Sequence, residues 1–131
     1  MDSSQIKSIV EQIPVLKFKF LGCFAADVVP YTFPENSFAI INNERANQSG
    51  SHWILIARKK KYYYADSEGQ PMKFYKNILF PHTCVQLIFR SMQTENLCAL
   101  YSIYFAYVLF SNSNLFCVDD NKIMRFFAKY L

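Results

Sequence analysis

At 131 residues the chain is long enough for one domain, 1–131, with a real hydrophobic core. Apolar residues make up 52% of it and aromatic residues 18%, which excludes disorder as a global description. The net charge of +4 is modest for a dedicated nucleic-acid binder, and the four cysteines form no CxxC pair and no His spacing suited to zinc, so no metal is expected and free thiols in a reducing, intracellular compartment are.

The opening Met1-Asp2-Ser3-Ser4-Gln5 has neither the charged nor the apolar region of a secretory leader. Ile6, Ile9, Val10 and Ile13 recur at helical spacing, so a short helix is predicted, capped by Ser3 or Ser4 and stopped by Pro14. From Val15 to Leu21 apolar residues alternate with Lys17 and Lys19, as in an edge strand or extended arm. Gly22 to Asn36 contains Pro30 and Pro34 and reads as irregular. Phe38 to Asn42 is a short buried strand, and the polar stretch Asn43 to Ser51 is a loop.

His52 precedes the apolar run Trp53-Ile54-Leu55-Ile56-Ala57, in which Trp53, Ile54 and Ile56 favour a strand. Lys59, Lys60 and Lys61 turn the chain, and Tyr62-Tyr63-Tyr64-Ala65 returns as the partner strand, ending at Asp66-Ser67-Glu68-Gly69. A hairpin brings its outer ends together, so His52 and Asp66 are expected to meet at one edge of the sheet. A lone histidine is more often structural. One facing a carboxylate is a better candidate for chemistry, because the carboxylate fixes the imidazole tautomer. The lysine run reads first as a solvated hairpin tip, and only second as a contact for a polyanion.

Pro71 opens a short helix through Ile78. Val85, Leu87 and Phe89 then alternate with Cys84, Gln86, Ile88 and Arg90, a strand with one buried face that leaves Cys84 pointing outward. Ser91 to Leu97 forms a turn carrying Gln93 towards Cys98. Cys98 to Phe110 holds one weakly polar residue, Ser102, and no Gly or Pro, so it is predicted to be a helix buried on all faces. It is too short to span a bilayer, and no membrane contact is expected. Glu95 and Asn96 lie where capping side chains belong, which puts Cys98 in the first turn. There the helix dipole and the free N–H groups favour a thiolate. Taken alone, a small buried cysteine without chemistry is the commoner reading. After a loop at Ser111 to Asn114, Asp119 or Asp120 caps a last helix with the apolar stripe Ile123, Phe126, Phe127 and Tyr130.

His52, Asp66, Gln93 and Cys98 occur in an order that thiol catalysis uses. A thiolate attacks a carbonyl, an imidazole moves the proton, a carboxylate orients the imidazole, and a side-chain amide with a backbone N–H stabilises the oxyanion. With Met1-Asp2-Ser3-Ser4, Ile9-Val10, Phe20-Leu21-Gly22, Ala39-Ile40-Ile41-Asn42, Ser49-Gly50-Ser51-His52-Trp53, and Gly69 three positions after Asp66, the chain resembles the adenovirus-type cysteine endopeptidases (adenain), relatives of the SUMO-deconjugating proteases. The elements imply an α+β fold, a small mixed β-sheet flanked by helices with a central buried helix, and the resemblance implies a papain/adenain-like cysteine protease.

Carried over, the resemblance implies Cys98 as nucleophile, His52 as base and acid, Asp66 as orienting carboxylate and Gln93 in the oxyanion hole, with Trp53 packed beside the site. It also implies polypeptide substrates, cleavage of precursor proteins near Gly-containing sites during virion maturation, and a monomer located in the virion and host nucleus. No metal or small-molecule cofactor is implied. Cys84 lies where the family bonds an activating viral peptide, and Lys59, Lys60 and Lys61 could contact DNA, which the family uses as a cofactor. The chain departs from the pattern at a shorter Gln93-to-Cys98 spacing, at Ala99 in place of glycine, and in its length after the central helix. Two other readings follow: a protease that deconjugates a ubiquitin-like modifier, which shares the triad, and a catalytically inactive relative that binds peptide or DNA.

Overall fold

The computed structural model describes residues 1–46, 52–88, 90–92, 97–113 and 117–131. Helix α1, Ser3–Glu11, begins on a capping box: the Gln5 N–H donates to Asp2 Oδ1 at 2.9 Å and the Asp2 N–H to Gln5 Oε1 at 2.8 Å. The cap is therefore Asp2 rather than Ser3 or Ser4, since only Asp2 can exchange both bonds with Gln5. Its inner face buries Ile6, Ile9 and Val10. Pro14 does more than stop this helix. It occupies the first position of a second one, α2, Pro14–Lys17, where its missing N–H is not needed, and Leu16 becomes fully buried. That overrides the extended segment expected from Val15 to Leu21.

A five-stranded sheet runs in the order β1-β2-β3-β4-β5. Its strands are β1 (Phe20–Phe24), β2 (Ser37–Asn42), β3 (Trp53–Arg58), β4 (Tyr62–Ala65) and β5 (Cys84–Gln86). The outer pairs β1/β2 and β4/β5 are parallel, and the inner pairs are antiparallel. The fold is thus α+β with a mixed sheet. Strand β1 extends past Gly22, where an irregular segment was expected. Gly22 takes φ +133° at a register shift in the β1/β2 ladder, a conformation that glycine adopts without strain.

Period-two alternation sorts the sheet's side chains between two cores. Phe38, Ile40, Leu55, Ala57 and Ala65 face the helices. Ala39, Ile41, Ile54, Ile56, Tyr62 and Tyr64 face the opposite side, covered by Phe33, Tyr75 and neighbouring loop residues. Helix α3, Cys98–Phe110, matches the predicted span residue for residue. It is buried except at Tyr107 and Leu109, and it lies across β3. Each large apolar side chain it places there contributes roughly 1.5–3 kcal/mol through burial.

Four further expectations change. The helix expected from Pro71 to Ile78 is one 3-10 turn, Met72–Phe74, because Tyr75 leaves helical geometry (φ −92°, ψ 84°) to reach Asp66. The long strand from Cys84 is only β5; Arg90–Met92 forms a separate strand, β6, paired in parallel with β7, Cys117–Asp119. On β5 the alternation holds but its direction is reversed: Val85 is exposed, while Cys84 is half-buried against the Tyr62–Tyr64 core. The α3 cap position is taken by Leu97, with no side-chain bond; Glu95 and Asn96 lie outside the described residues. The last helix, α4, Asp120–Phe127, is capped by Asp119, whose Oδ1 accepts from the Lys122 N–H at 2.9 Å. No helix among the described residues is long and apolar enough to cross a membrane.

Candidate active site

The hairpin β3/β4 sets the register that makes the site. Leu55 pairs with Ala65 at the open end of the ladder; Asp66 directly follows Ala65 and His52 lies three residues before Leu55, so both stand at that end. His52 Nε2 lies 2.5 Å from Asp66 Oδ1, with both side chains nearly sealed from solvent. The main chain at His52 is fixed from the end of β2: its N–H donates to Asn43 Oδ1 at 3.1 Å, and its carbonyl accepts from the Asn43 N–H at 3.0 Å. These two bonds fix the backbone from which the imidazole projects.

Asp66 is the most densely bonded side chain of the site. Oδ1 takes His52 and the Glu68 N–H at 3.1 Å; Oδ2 takes the Gln70 N–H at 3.0 Å and the Tyr75 hydroxyl at 2.7 Å. Four donors on two oxygens match the acceptor capacity of an ionised carboxylate. Burial alone would raise the pKa of Asp66, but His52, Tyr75 and the Glu68 N–H outweigh it and hold the carboxyl below its usual range. The turn that supplies these N–H groups depends on Gly69, whose φ of +74° and N–H bond to the Asp66 carbonyl at 2.9 Å close the loop back on the carboxylate. Gln86 and Tyr64 brace the same loop through the Gln70 carbonyl, at 3.3 and 2.7 Å.

Helix α3 brings Cys98 to this pair from beneath the sheet. Its thiol is buried, which would raise its pKa, yet the hydrogen bond with His52, the Trp53 backbone N–H and the charge on His52 lower it overall. His52 responds in the opposite sense: burial works against its charged form, but Asp66 and then Cys98 push the imidazole up to about 10. With Nε2 committed to Asp66, Nδ1 is the ring nitrogen left for the sulfur. A lowered thiol beside a raised imidazole is the signature of a thiolate–imidazolium pair. Ser102 ties the helix to the sheet here, donating to the Cys98 carbonyl at 2.9 Å and the Trp53 carbonyl at 3.2 Å.

Comparison with protein-family models gives no match, and none of the curated proteins matches the chain either.

Cys98, His52 and Asp66 therefore meet as the sequence predicts. Trp53 is half-buried beside them, its indole N–H donating to the Met1 carbonyl at 3.1 Å. Gln93 lies outside the described residues. At Cys84 burial pushes the thiol up to about 11, where little thiolate exists near neutrality. Lys59 is occupied, its ammonium donating to the Leu109 carbonyl at 3.2 Å and to Asn112 Oδ1 at 3.0 Å, where it closes the end of α3. Lys60 and Lys61 are exposed and line a surface hollow together with Glu35. Among the described residues no three His, Cys, Asp or Glu side chains cluster as a metal site would require.

Tyr75 is the residue sequence reasoning missed. It bonds Asp66, and its ring stacks on the His52 imidazole with centroids 5.6 Å apart and planes 29° apart. Asn43 is the second. Neither carries a local signal: Tyr75 sits in a stretch that reads as helix, and Asn43 opens a polar loop. Their partners are set by how the chain folds back.

Proposed function

We propose that this chain is a cysteine endopeptidase in which Cys98 is the nucleophile, His52 the general base and acid, and Asp66 the carboxylate that holds the imidazole. The observation that carries this reading is the His52 ring, bonded on one side to a four-fold hydrogen-bonded carboxylate and on the other to a thiol lowered from its ordinary value. Core packing gives no reason to bury an imidazole, a carboxylate and a thiol in one chain of hydrogen bonds. The placement of the cysteine in the first turn of the central helix, with the histidine before one strand of a hairpin and the carboxylate after the other, supports a papain/adenain-like arrangement.

In this reading the Cys98 thiolate adds to the scissile carbonyl carbon, and the resulting oxyanion is met by backbone N–H groups at the start of the helix. By resemblance, Gln93 adds a second donor. The imidazolium gives its proton to the departing amine as the C–N bond breaks, leaving a thioester on Cys98. Water, deprotonated by His52, then attacks the thioester, releases the acid product and restores the thiol proton to the pair. Gly-containing sites in precursor proteins of a virus or virus-like particle, in virion or host nucleus, are the substrates that the resemblance favours. An activating peptide at Cys84 or DNA at Lys60 and Lys61 belongs to the same reading. The raised Cys84 thiol makes disulfide exchange there slow.

The test is cleavage of a Gly-containing peptide library by the full chain and by Cys98→Ala. The wild type cuts and the variant does not. Cleavage that survives the replacement removes Cys98 from the mechanism. A library left intact, with Cys98 captured by a ubiquitin-like modifier bearing a C-terminal electrophile, moves the assignment to deconjugation. A wild-type Cys98 that resists alkylation at mildly acidic pH favours the inactive relative.

A further inference from the structure

His52 faces a second carboxylate that the triad does not use. Glu68 Oε1 stands 3.9 Å from Nδ1, on the side of the ring opposite Asp66. The two carboxylates differ in setting: the Asp66 side chain is fully sealed, whereas that of Glu68 is 52% exposed. Glu68 is not a loose surface residue. Its N–H is bonded to Asp66 Oδ1, and the following Gly69 N–H is bonded to the Asp66 carbonyl, so the turn pins its backbone. The groups facing the imidazole are then Asp66, Cys98, Glu68 and the Tyr75 ring, and of these Glu68 is the half-exposed carboxylate.

Nδ1 is the nitrogen that faces the sulfur and, in the peptidase reading on which this inference rests, the one that protonates the departing amine. A charge beside Nδ1 is therefore beside the leaving-group half of the substrate. We propose that Glu68 is a specificity-determining residue: its carboxylate makes the mouth of the site negative and selects polypeptides whose residue after the scissile bond is basic or neutral over those with an acidic one. No additional bond is made or broken. The effect is Coulombic, and because Glu68 is half-exposed it is a several-fold preference rather than an absolute one.

The same charge must act on any small reagent that approaches the sulfur, which gives a test independent of peptide cleavage. Cys98 is alkylated with iodoacetamide, which is neutral, and with iodoacetate, which is anionic, and the Cys98 peptide is followed by mass spectrometry. Glu68→Gln is expected to raise the iodoacetate rate several-fold relative to iodoacetamide, and Glu68→Lys to raise it further. In Glu68→Gln the alkaline midpoint of the iodoacetamide pH profile should also fall, because the negative charge 3.9 Å from Nδ1 is gone. Added salt should move the wild-type ratio the same way, which keeps the question open to measurement if a variant fails to fold. In the endopeptidase itself, a peptide with Lys after the cleaved bond should outcompete its Asp counterpart, and Glu68→Gln should erase most of that advantage. A reactive Cys98 whose reagent ratio ignores both variants and salt overturns the role of Glu68 and leaves the peptidase reading standing. A Cys98 inert to both reagents in the wild type overturns the two together.

Discussion

The thiolate–imidazolium pair has a consequence for folding stability that Cys98→Ala exposes. His52 has its folded pKa raised from 6.5 to about 10, so its contribution is complete below 6.5 and is lost as pH rises towards 10. Cys98 has its folded pKa lowered from 9.0, so its contribution is complete above 9.0 and is lost as pH falls through the lowered value. At any pH between 6.5 and 9.0 that lies above the lowered Cys98 value, the two trends cancel. Folded and unfolded chains then hold one proton each on this pair, on nitrogen in the first and on sulfur in the second. The wild type should therefore show a stability plateau across that window. In Cys98→Ala only the histidine contribution remains, so the plateau is replaced by a fall in stability as pH rises above 6.5. Charges elsewhere are common to both chains. The difference between the two profiles should grow by about 1.4 kcal/mol per unit as pH rises towards that of the free thiol. Urea unfolding from about pH 5 to 9, followed by the fluorescence of Trp53, the chain's single tryptophan, measures it directly. Parallel profiles for the two chains would mean that the folded thiol keeps its proton, and the charge separation argued here would be wrong.

Tyr75→Phe keeps the stacked ring and deletes one of the four donors to Asp66; because Oδ2 retains the Gln70 N–H, the loss belongs at the low end for a charged hydrogen bond, about 1.5–2 kcal/mol. Asp66 has a lowered folded pKa, so this penalty should be present at neutral pH and shrink as pH falls below 3.8 and the carboxylate protonates, a trend thermal unfolding in acid would reveal. Lys59→Met should cost about 1 kcal/mol in urea unfolding, since it removes the ammonium from the Leu109 carbonyl at the end of α3, while Lys60→Ala, fully solvated, should stay within about 0.5 kcal/mol.

Local pattern carried much of this protein in plain view. An apolar run interrupted only by Ser102 specified α3 to the residue, because no other element can bury eleven of thirteen consecutive side chains while satisfying its own backbone. A hairpin with a lysine-rich tip specified that His52 and Asp66 meet, because antiparallel pairing dictates which ends touch. What needed the tertiary structure was everything that turns on which side of an element faces inward or on which distant segment arrives there. Alternation on β5 says that Cys84 and Val85 point opposite ways; only the packing of the Tyr62 and Tyr64 face decides that Cys84 goes in. The lysines look alike in sequence, and only the approach of the α3 C-terminus takes Lys59 out of solvent. Tyr75, Asn43 and Glu68 act through partners set by chain closure, and a contact between residues far apart in sequence leaves no period to read. Side-chain periodicity is a property of a few consecutive residues, whereas the bonds that charge Cys98 and hold His52 form only when β2, the β3/β4 hairpin, the turn before Tyr75 and α3 occupy one volume.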